Sequence, residues 1–79
     1  MGISEKIRIL MVKRGDISAA ELSRKLQAAG LEKMTPQNLS NKLKRGTFEE
    51  AELNVIAATL KAKYTRQEHF TLEDTGEEI

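Results

Sequence analysis

Several residue types are scarce or missing in this 79-residue sequence, which has no cysteine, no tryptophan, one histidine and one proline. Without cysteine the chain forms neither disulfides nor thiolate metal sites. His69 is the single histidine and the chain has no cysteine, so we expect neither a catalytic triad nor a specific metal centre. The glycines stand alone in their loops, unlike those of a phosphate-binding loop. We therefore predict a protein that is not an enzyme and that carries no cofactor and no metal.

Long apolar runs are also absent. None approaches the roughly 18 residues of a membrane span. Glu5, Lys6 and Arg8 interrupt the N-terminal segment, which makes it a poor signal peptide. The sequence thus predicts a cytoplasmic protein with no membrane partner, and no pattern in it indicates a small-molecule ligand.

The charges nearly balance, at a net +1, but they are separated along the chain. Residues 1–48 contain ten Lys and Arg and four Asp and Glu, whereas residues 49–79 contain three and eight. A basic first part and an acidic tail indicate a polyanionic partner for the first part. Chance segregation in a short charged chain is the alternative.

Apolar periodicity and capping residues predict the first two helices. Apolar residues three and four apart predict a helix over about 3–14, which Gly15 ends. Ser18 and Glu21 fit a capping box at the start of the second helix. Gly30 fits the stop of that helix.

Two further helices follow. Thr35 is a favoured N-cap, and Pro36 suits a first turn because its missing N–H would be unpaired there. Gly46 ends this third helix. The apolar pattern then predicts a fourth helix over about 48–64.

The period of the pattern changes in the tail. Phe70 and Leu72 alternate with polar residues, which predicts a strand of about 65–72, a turn, and a short return strand ending at Ile79. A disordered acidic tail is the alternative. Overall, the pattern predicts a mainly α fold of four helices with a C-terminal β-strand or hairpin tail.

The outer face of the third helix contains amides and cations but no acid. With Leu39 and Leu43 facing inward, the outward side chains are Gln37, Asn38, Asn41, Lys44 and Arg45. Asn and Gln can pair with an adenine edge, and Arg and Lys favour guanine or phosphate. This face predicts nucleic-acid binding, and an ordinary solvated face is the alternative.

The order of these segments carries a resemblance. ISAAELSRKL (17–26), TPQNLSNKLKRGTF (35–48) and ELNVIAATL (52–60) together resemble the helix-turn-helix domain of the lambda repressor-like (Cro, XRE) transcriptional regulators. The resemblance covers about residues 3–62. It implies a lambda repressor-like helix-turn-helix domain over residues 1–64 and a β tail over 65–79. It also implies sequence-specific binding of double-stranded DNA by a repressor-like regulator.

The resemblance further assigns site residues. Helix 36–45 matches the recognition helix that enters the major groove, with base contacts from Gln37, Asn38 and Asn41. Phosphate contacts are implied for Ser18, Thr35, Lys44, Arg45 and Thr47. Cro-type proteins pair through C-terminal strands, which implies a homodimer with Phe70 and Leu72 as dimerisation residues.

The sequence departs from the family pattern in two places. The connection before Thr35 is several residues longer than usual, and a strand-like tail stands where the family has a fifth helix. A protein-interaction module on the same fold, such as an antitoxin or an adaptor, is the alternative function. In that case the acidic tail could also mask the basic face of the same chain.

Overall fold

A computed structural model describes residues 2–65 and 69–79 of the chain. In this part, four helices precede two short antiparallel strands, with the elements α1 (Ile3–Lys13), α2 (Ala19–Ala28), α3 (Pro36–Arg45), α4 (Glu50–Thr59), β1 (Ala62–Thr65) and β2 (His69–Leu72). The predicted class, mainly helical with a C-terminal hairpin, is confirmed. Across the described ranges, no helix combines the length and the apolar content needed to cross a bilayer.

The ends of α2 carry the Ser18 cap and the Gly30 stop that the sequence predicts, but of the two bonds of the predicted capping box the described residues show one. Ser18 Oγ accepts a hydrogen bond from the Glu21 N–H at 3.1 Å, which satisfies one amide of the first turn. At the other end the Leu31 N–H donates to the Leu26 carbonyl at 2.9 Å. Gly30 adopts a positive φ of 111° between them, as a Schellman ending requires.

A single apolar core joins the helices to the hairpin. Phe48 and Tyr64 are partly buried and pack against its margin. The buried apolar side chains come from all six elements and from two connecting segments: Ile3, Ile7, Leu10, Met11, Leu22, Leu26, Met34, Leu39, Leu43, Leu53, Ile56, Ala57, Leu60, Ala62, Phe70 and Leu72.

The prediction of a fourth helix extending to residue 64 is wrong, because α4 ends at Thr59. Lys61 takes a left-handed conformation with φ 56°, which stops the helix at a position without glycine. Ala62 then enters the core with 2% exposure and begins β1. No glycine or proline marks this helix end, so the apolar pattern alone extended the predicted helix too far.

The single strand predicted over 65–72 is also wrong. The structure has two strands in antiparallel register, with Tyr64 opposite Phe70 and their ring centroids 5.4 Å apart. Residues 66–68, which connect the strands, lie outside the described residues. The predicted boundary between residues 64 and 65 therefore falls inside β1, and the helical part of the chain ends earlier than expected.

The residues after β2 return along that strand, as the turn signal predicts. Thr71 and Glu78 form a β-bridge, and the Ile79 N–H donates to the Phe70 carbonyl at 2.8 Å. Both edges of β2 are thus paired within the chain. Phe70 and Leu72 are 0% and 3% exposed. Contrary to the expectation that these side chains form a dimer interface, they fill the core of one chain and are not accessible to a second one.

Arg14 connects the end of α1 to the end of α4 and to the turn after β2. Its Nε donates to the Leu60 carbonyl at 2.7 Å, and its Nη2 donates to the Lys61 carbonyl at 2.9 Å. Its two terminal nitrogens also bind both carboxylate oxygens of Asp74, each at 2.8 Å. One side chain therefore satisfies the carbonyls left open where α4 stops and anchors the hairpin.

Ser23 is a polar residue in the core, with 0% exposure. Its Oγ donates to the Met34 carbonyl at 2.9 Å and so ties α2 to the segment that leads into α3. We predict that Ser23→Ala lowers the free energy of unfolding by about 1–3 kcal/mol, because the buried carbonyl loses its donor. Urea unfolding measures this change. Ser40→Ala, on α3, is the control with little expected effect, and equal stability of the two variants would contradict the role of Ser23.

The Arg14–Asp74 pair makes stability depend on acid pH. Hydrogen bonds from Arg14 lower the pKa of Asp74 from 3.8 to about 2. Since the folded-state pKa is depressed, this contribution is present above pH 3.8 and is lost as the pH falls towards 2. We predict that Asp74→Asn lowers the thermal midpoint at neutral pH and removes this part of the acid dependence. Glu78→Gln should retain it, and parallel pH profiles for Asp74→Asn and the wild type would contradict the prediction.

Candidate nucleic-acid interface

The helix α3 is fixed at both ends and along its inner side. Thr35 Oγ1 accepts from the Asn38 N–H at 3.2 Å as the N-cap. Leu39 and Leu43 are 0% and 6% exposed and hold the inner side in the core. Gly46 ends the helix with φ 68°, a conformation that favours glycine. Sequence and structure agree on both ends of this helix.

The long connection between α2 and α3 is tied down at several points. Met34 is buried at 3% exposure and accepts the bond from Ser23 described above. Asn38 Nδ2 donates to the Lys33 carbonyl at 2.6 Å. Gln27 Nε2 donates to the Glu32 carbonyl at 3.4 Å. The extra length relative to the family pattern thus forms a defined loop with bonds to both helices.

The predicted base-contact residues differ in their availability. Gln37 is exposed and makes no side-chain hydrogen bond within the described residues. Asn38 is exposed, but its amide nitrogen holds the Lys33 carbonyl. Asn41, expected to point directly outward, is partly buried. Gln37 and Asn41 are therefore the amides left to contact a ligand without breaking a bond that this structure contains.

Two of the predicted phosphate contacts already serve as helix caps. The hydroxyl groups of Ser18 and Thr35 accept backbone hydrogen bonds at the starts of α2 and α3. Their hydroxyl protons stay available, but the primary role of both residues is capping. Thr47 is exposed directly after the helix.

The cations of α3 fall into two groups. Lys42 Nζ lies 3.2 Å from Glu52 Oε1 and also donates to the Thr47 carbonyl at 3.4 Å, so it connects α3 to α4. Lys44 and Arg45 are exposed and form no ion pair with any residue in 2–65 or 69–79. The outward charge of α3 therefore comes from these two side chains alone.

The acidic tail pairs with α1. Asp74 binds Arg14, and Glu77 Oε2 lies 2.8 Å from Lys13 Nζ. These acids neutralise the last turn of α1 and its C-cap. No described acid of the tail reaches Lys44 or Arg45, so masking of the basic face in cis is absent from the described part of the chain.

The sequence did not predict the position of three residues that bear on the fold or the surface: Ser23, Lys42 and Arg8. Ser23 lies beside Leu22 on the apolar stripe of α2, so a polar residue on a buried stripe was an available signal. Lys42 lies between the exposed and the buried side of α3, and its pairing with α4 depends on the tertiary fold. Arg8 is exposed on α1, outside the motif that drew attention to α3.

No group suited to a metal ion occurs in the described ranges. There, no three side chains of His, Cys, Asp or Glu lie together in a way that could hold an ion. The chemistry that the surface offers is hydrogen bonding by amides and electrostatic attraction of anions.

The fold and this surface define a small, mainly helical domain with a basic, amide-rich helix exposed on one side. The chain belongs to the DUF6471 family, described as a domain of unknown function, whose sequence model matches residues 2–65. No curated protein and no solved structure shows a significant match to the chain. The family match covers all four helices and β1 and ends before β2.

The contact between Asn38 and Lys33 predicts a local effect. Asn38→Asp replaces the donor with an acceptor next to a carbonyl, so the loop loses that bond. We expect faster amide hydrogen exchange at Met34 and Thr35 with little change in the core of α1. Gln37→Asp on the same turn is the matched control, since Gln37 contacts no loop carbonyl. Equal exchange in the two variants would show that Asn38 does not hold the loop.

Proposed function

We propose that the chain binds double-stranded DNA in a sequence-specific manner and acts as a repressor-like transcriptional regulator. The observation that carries this proposal is the outward face of α3, which presents amides and two unpaired cations and no acid. A surface helix that serves solubility alone usually mixes both signs of charge. Glu52 pairs with Lys42 at the side of α3, and the tail acids Asp74 and Glu77 pair with α1. No described acid forms an ion pair with Lys44 or Arg45.

The order of side chains along α3 fits entry into the major groove. The groove is about 12 Å wide and admits one α-helix. Gln37 lies in the first turn of α3 and Asn41 in the second, where base edges would be met. Lys44 and Arg45 lie in the last turn, where the helix leaves the groove and meets the phosphates. This arrangement is the one that the resemblance to lambda repressor-like regulators implies.

A homodimer is part of the proposal, because helix-turn-helix domains bind half-sites about one DNA turn apart. Phe70 and Leu72 cannot supply that contact, since both are buried. The two copies would therefore meet through side chains other than these two. The two acting copies would lie in the cytoplasm with the DNA.

A protein-interaction module is the second candidate function. The observation that favours it is Val12, which is 62% exposed on α1. Ile9, one turn earlier, is partly exposed and belongs to the same shallow surface. An antitoxin or an adaptor could use such an apolar patch. Complete absence of binding to a random-sequence duplex at low salt would favour this second function.

The proposal separates base contacts from phosphate contacts. We expect Gln37→Ala and Asn41→Ala each to reduce discrimination between the selected sequence and its mismatches by about 1–3 kcal/mol. Lys44→Ala and Arg45→Ala should instead weaken binding to all sequences alike. Selection from a random duplex library followed by fluorescence anisotropy at several salt concentrations measures both effects.

Lys63→Ala, which removes one cation from β1, is the matched control for the loss of charge. Its affinity should stay at the wild-type value, because β1 lies outside the proposed contact. If Asn41→Ala and Arg45→Ala both bind as the wild type does, α3 is not the recognition helix.

A further inference from the structure

A groove of about 460 Å³ separates the start of α1 from the end of α3. It shares Lys44 and Arg45 with the outward face of α3 and extends that face to α1. Its lining comes from both helices and from the glycine that ends α3: Gly2, Ile3, Ser4, Glu5, Arg8, Leu43, Lys44, Arg45 and Gly46.

The groove is basic because cations from two elements line it. Arg8 from α1 lies there with Lys44 and Arg45 from α3, and Glu5 is the acid that opposes them. All three cations are exposed, and none has an ion-pair partner in the described ranges. Three like charges converge here without a counter-ion from the tail, which pairs instead with the opposite end of α1.

Two further observations concern the groove wall. Ser4 Oγ is buried and has no hydrogen-bond partner within the described residues, which is uncommon for a buried hydroxyl. The N-cap of α1 is Gly2, so no side chain accepts from the amides of the first turn. The first turn of α1 therefore has no side-chain acceptor beside the three cations, and backbone donors with positive charge are what an anion binds.

We propose that this groove seats a phosphate of the DNA backbone and that Arg8 is a phosphate contact. The inference rests on the proposed function and extends it from α3 to α1. In this arrangement the last turn of α3 lies against the DNA backbone where that backbone enters the groove. The planar guanidinium of Arg8 then holds the phosphate from the other side, where its fork matches two phosphate oxygens.

The opposing charge of Glu5 gives a second prediction, of opposite sign, for the same groove. A carboxylate that lines a phosphate site repels the ligand, so its neutralisation should strengthen binding. Glu5 lies in the first turn of α1, where a negative charge favours the helix, and this accounts for its presence without DNA. The groove thus contains one residue whose loss weakens the complex and one whose neutralisation strengthens it.

The test compares variants on a fluorescein-labelled random-sequence duplex by anisotropy over a range of salt concentrations. Arg8→Ala should weaken binding and lower the slope of log affinity against log salt by about 0.9, the value for one phosphate. Glu5→Gln should raise the affinity at fixed salt. The matched controls are Lys25→Ala, beside Asp74, and Glu73→Gln, in the turn after β2, and neither should change binding.

A second measurement locates the contact. Amide chemical shifts of residues 2–5 should move when the duplex is added to the wild type, and circular dichroism should show that Arg8→Ala keeps its helical content. Unchanged affinity and slope in Arg8→Ala, with both lowered in Arg45→Ala, would overturn the groove site and leave the proposed function intact. No binding of the duplex by the wild type would overturn both.

Discussion

The four hydrogen bonds of the Arg14 guanidinium are the constraint on which the C-terminal half of the fold depends. A helix that stops without glycine leaves carbonyls that need donors, and Arg14 supplies them to Leu60 and Lys61. The same side chain holds Asp74, so the position of the hairpin is set by α1. Only two residues separate α4 from β1, so the left-handed Lys61 and the Arg14 contact lie at the point where the helix gives way to the strand.

The Arg14–Asp74 contact also explains part of the separation of charge along the sequence. Part of the acidic excess of the tail lies against part of the basic excess before it. Asp74 pairs with Arg14, and Glu77 pairs with Lys13. Lys42 likewise forms an ion pair, with Glu52. Arg8, Lys44 and Arg45 are among the cations for which the described residues supply no ion-pair partner. These tertiary pairs thus neutralise cations of α1 and α3 and leave Lys44 and Arg45 exposed, which composition alone does not show.

The sequence predicted the first three helices well and the region after residue 59 poorly, for physical reasons. Ser18, Gly30 and Gly46 are local signals that act through the backbone next to them, so they can be read without the fold. The end of α4 has no such residue. The helix stops at the left-handed Lys61, and the neighbouring Leu60 carbonyl is bound by Arg14 from 46 positions away. Phe70 and Leu72 were recognised as strand residues, but whether an apolar strand face meets its own helices or another chain is decided by packing. The structure places them inside.

The proposed recognition depends on how few amides α3 leaves available. Asn38 is held by the loop, so base contacts fall to Gln37 and Asn41. At about 1–3 kcal/mol for each good pair, one chain discriminates by about 2–6 kcal/mol. Specific DNA binding generally exceeds non-specific binding by about 4–10 kcal/mol. One copy therefore reaches only the lower part of that range, whereas two copies on a symmetric site cover it. On the proposed function, the small number of free amides in one chain thus favours binding by two copies over binding by one.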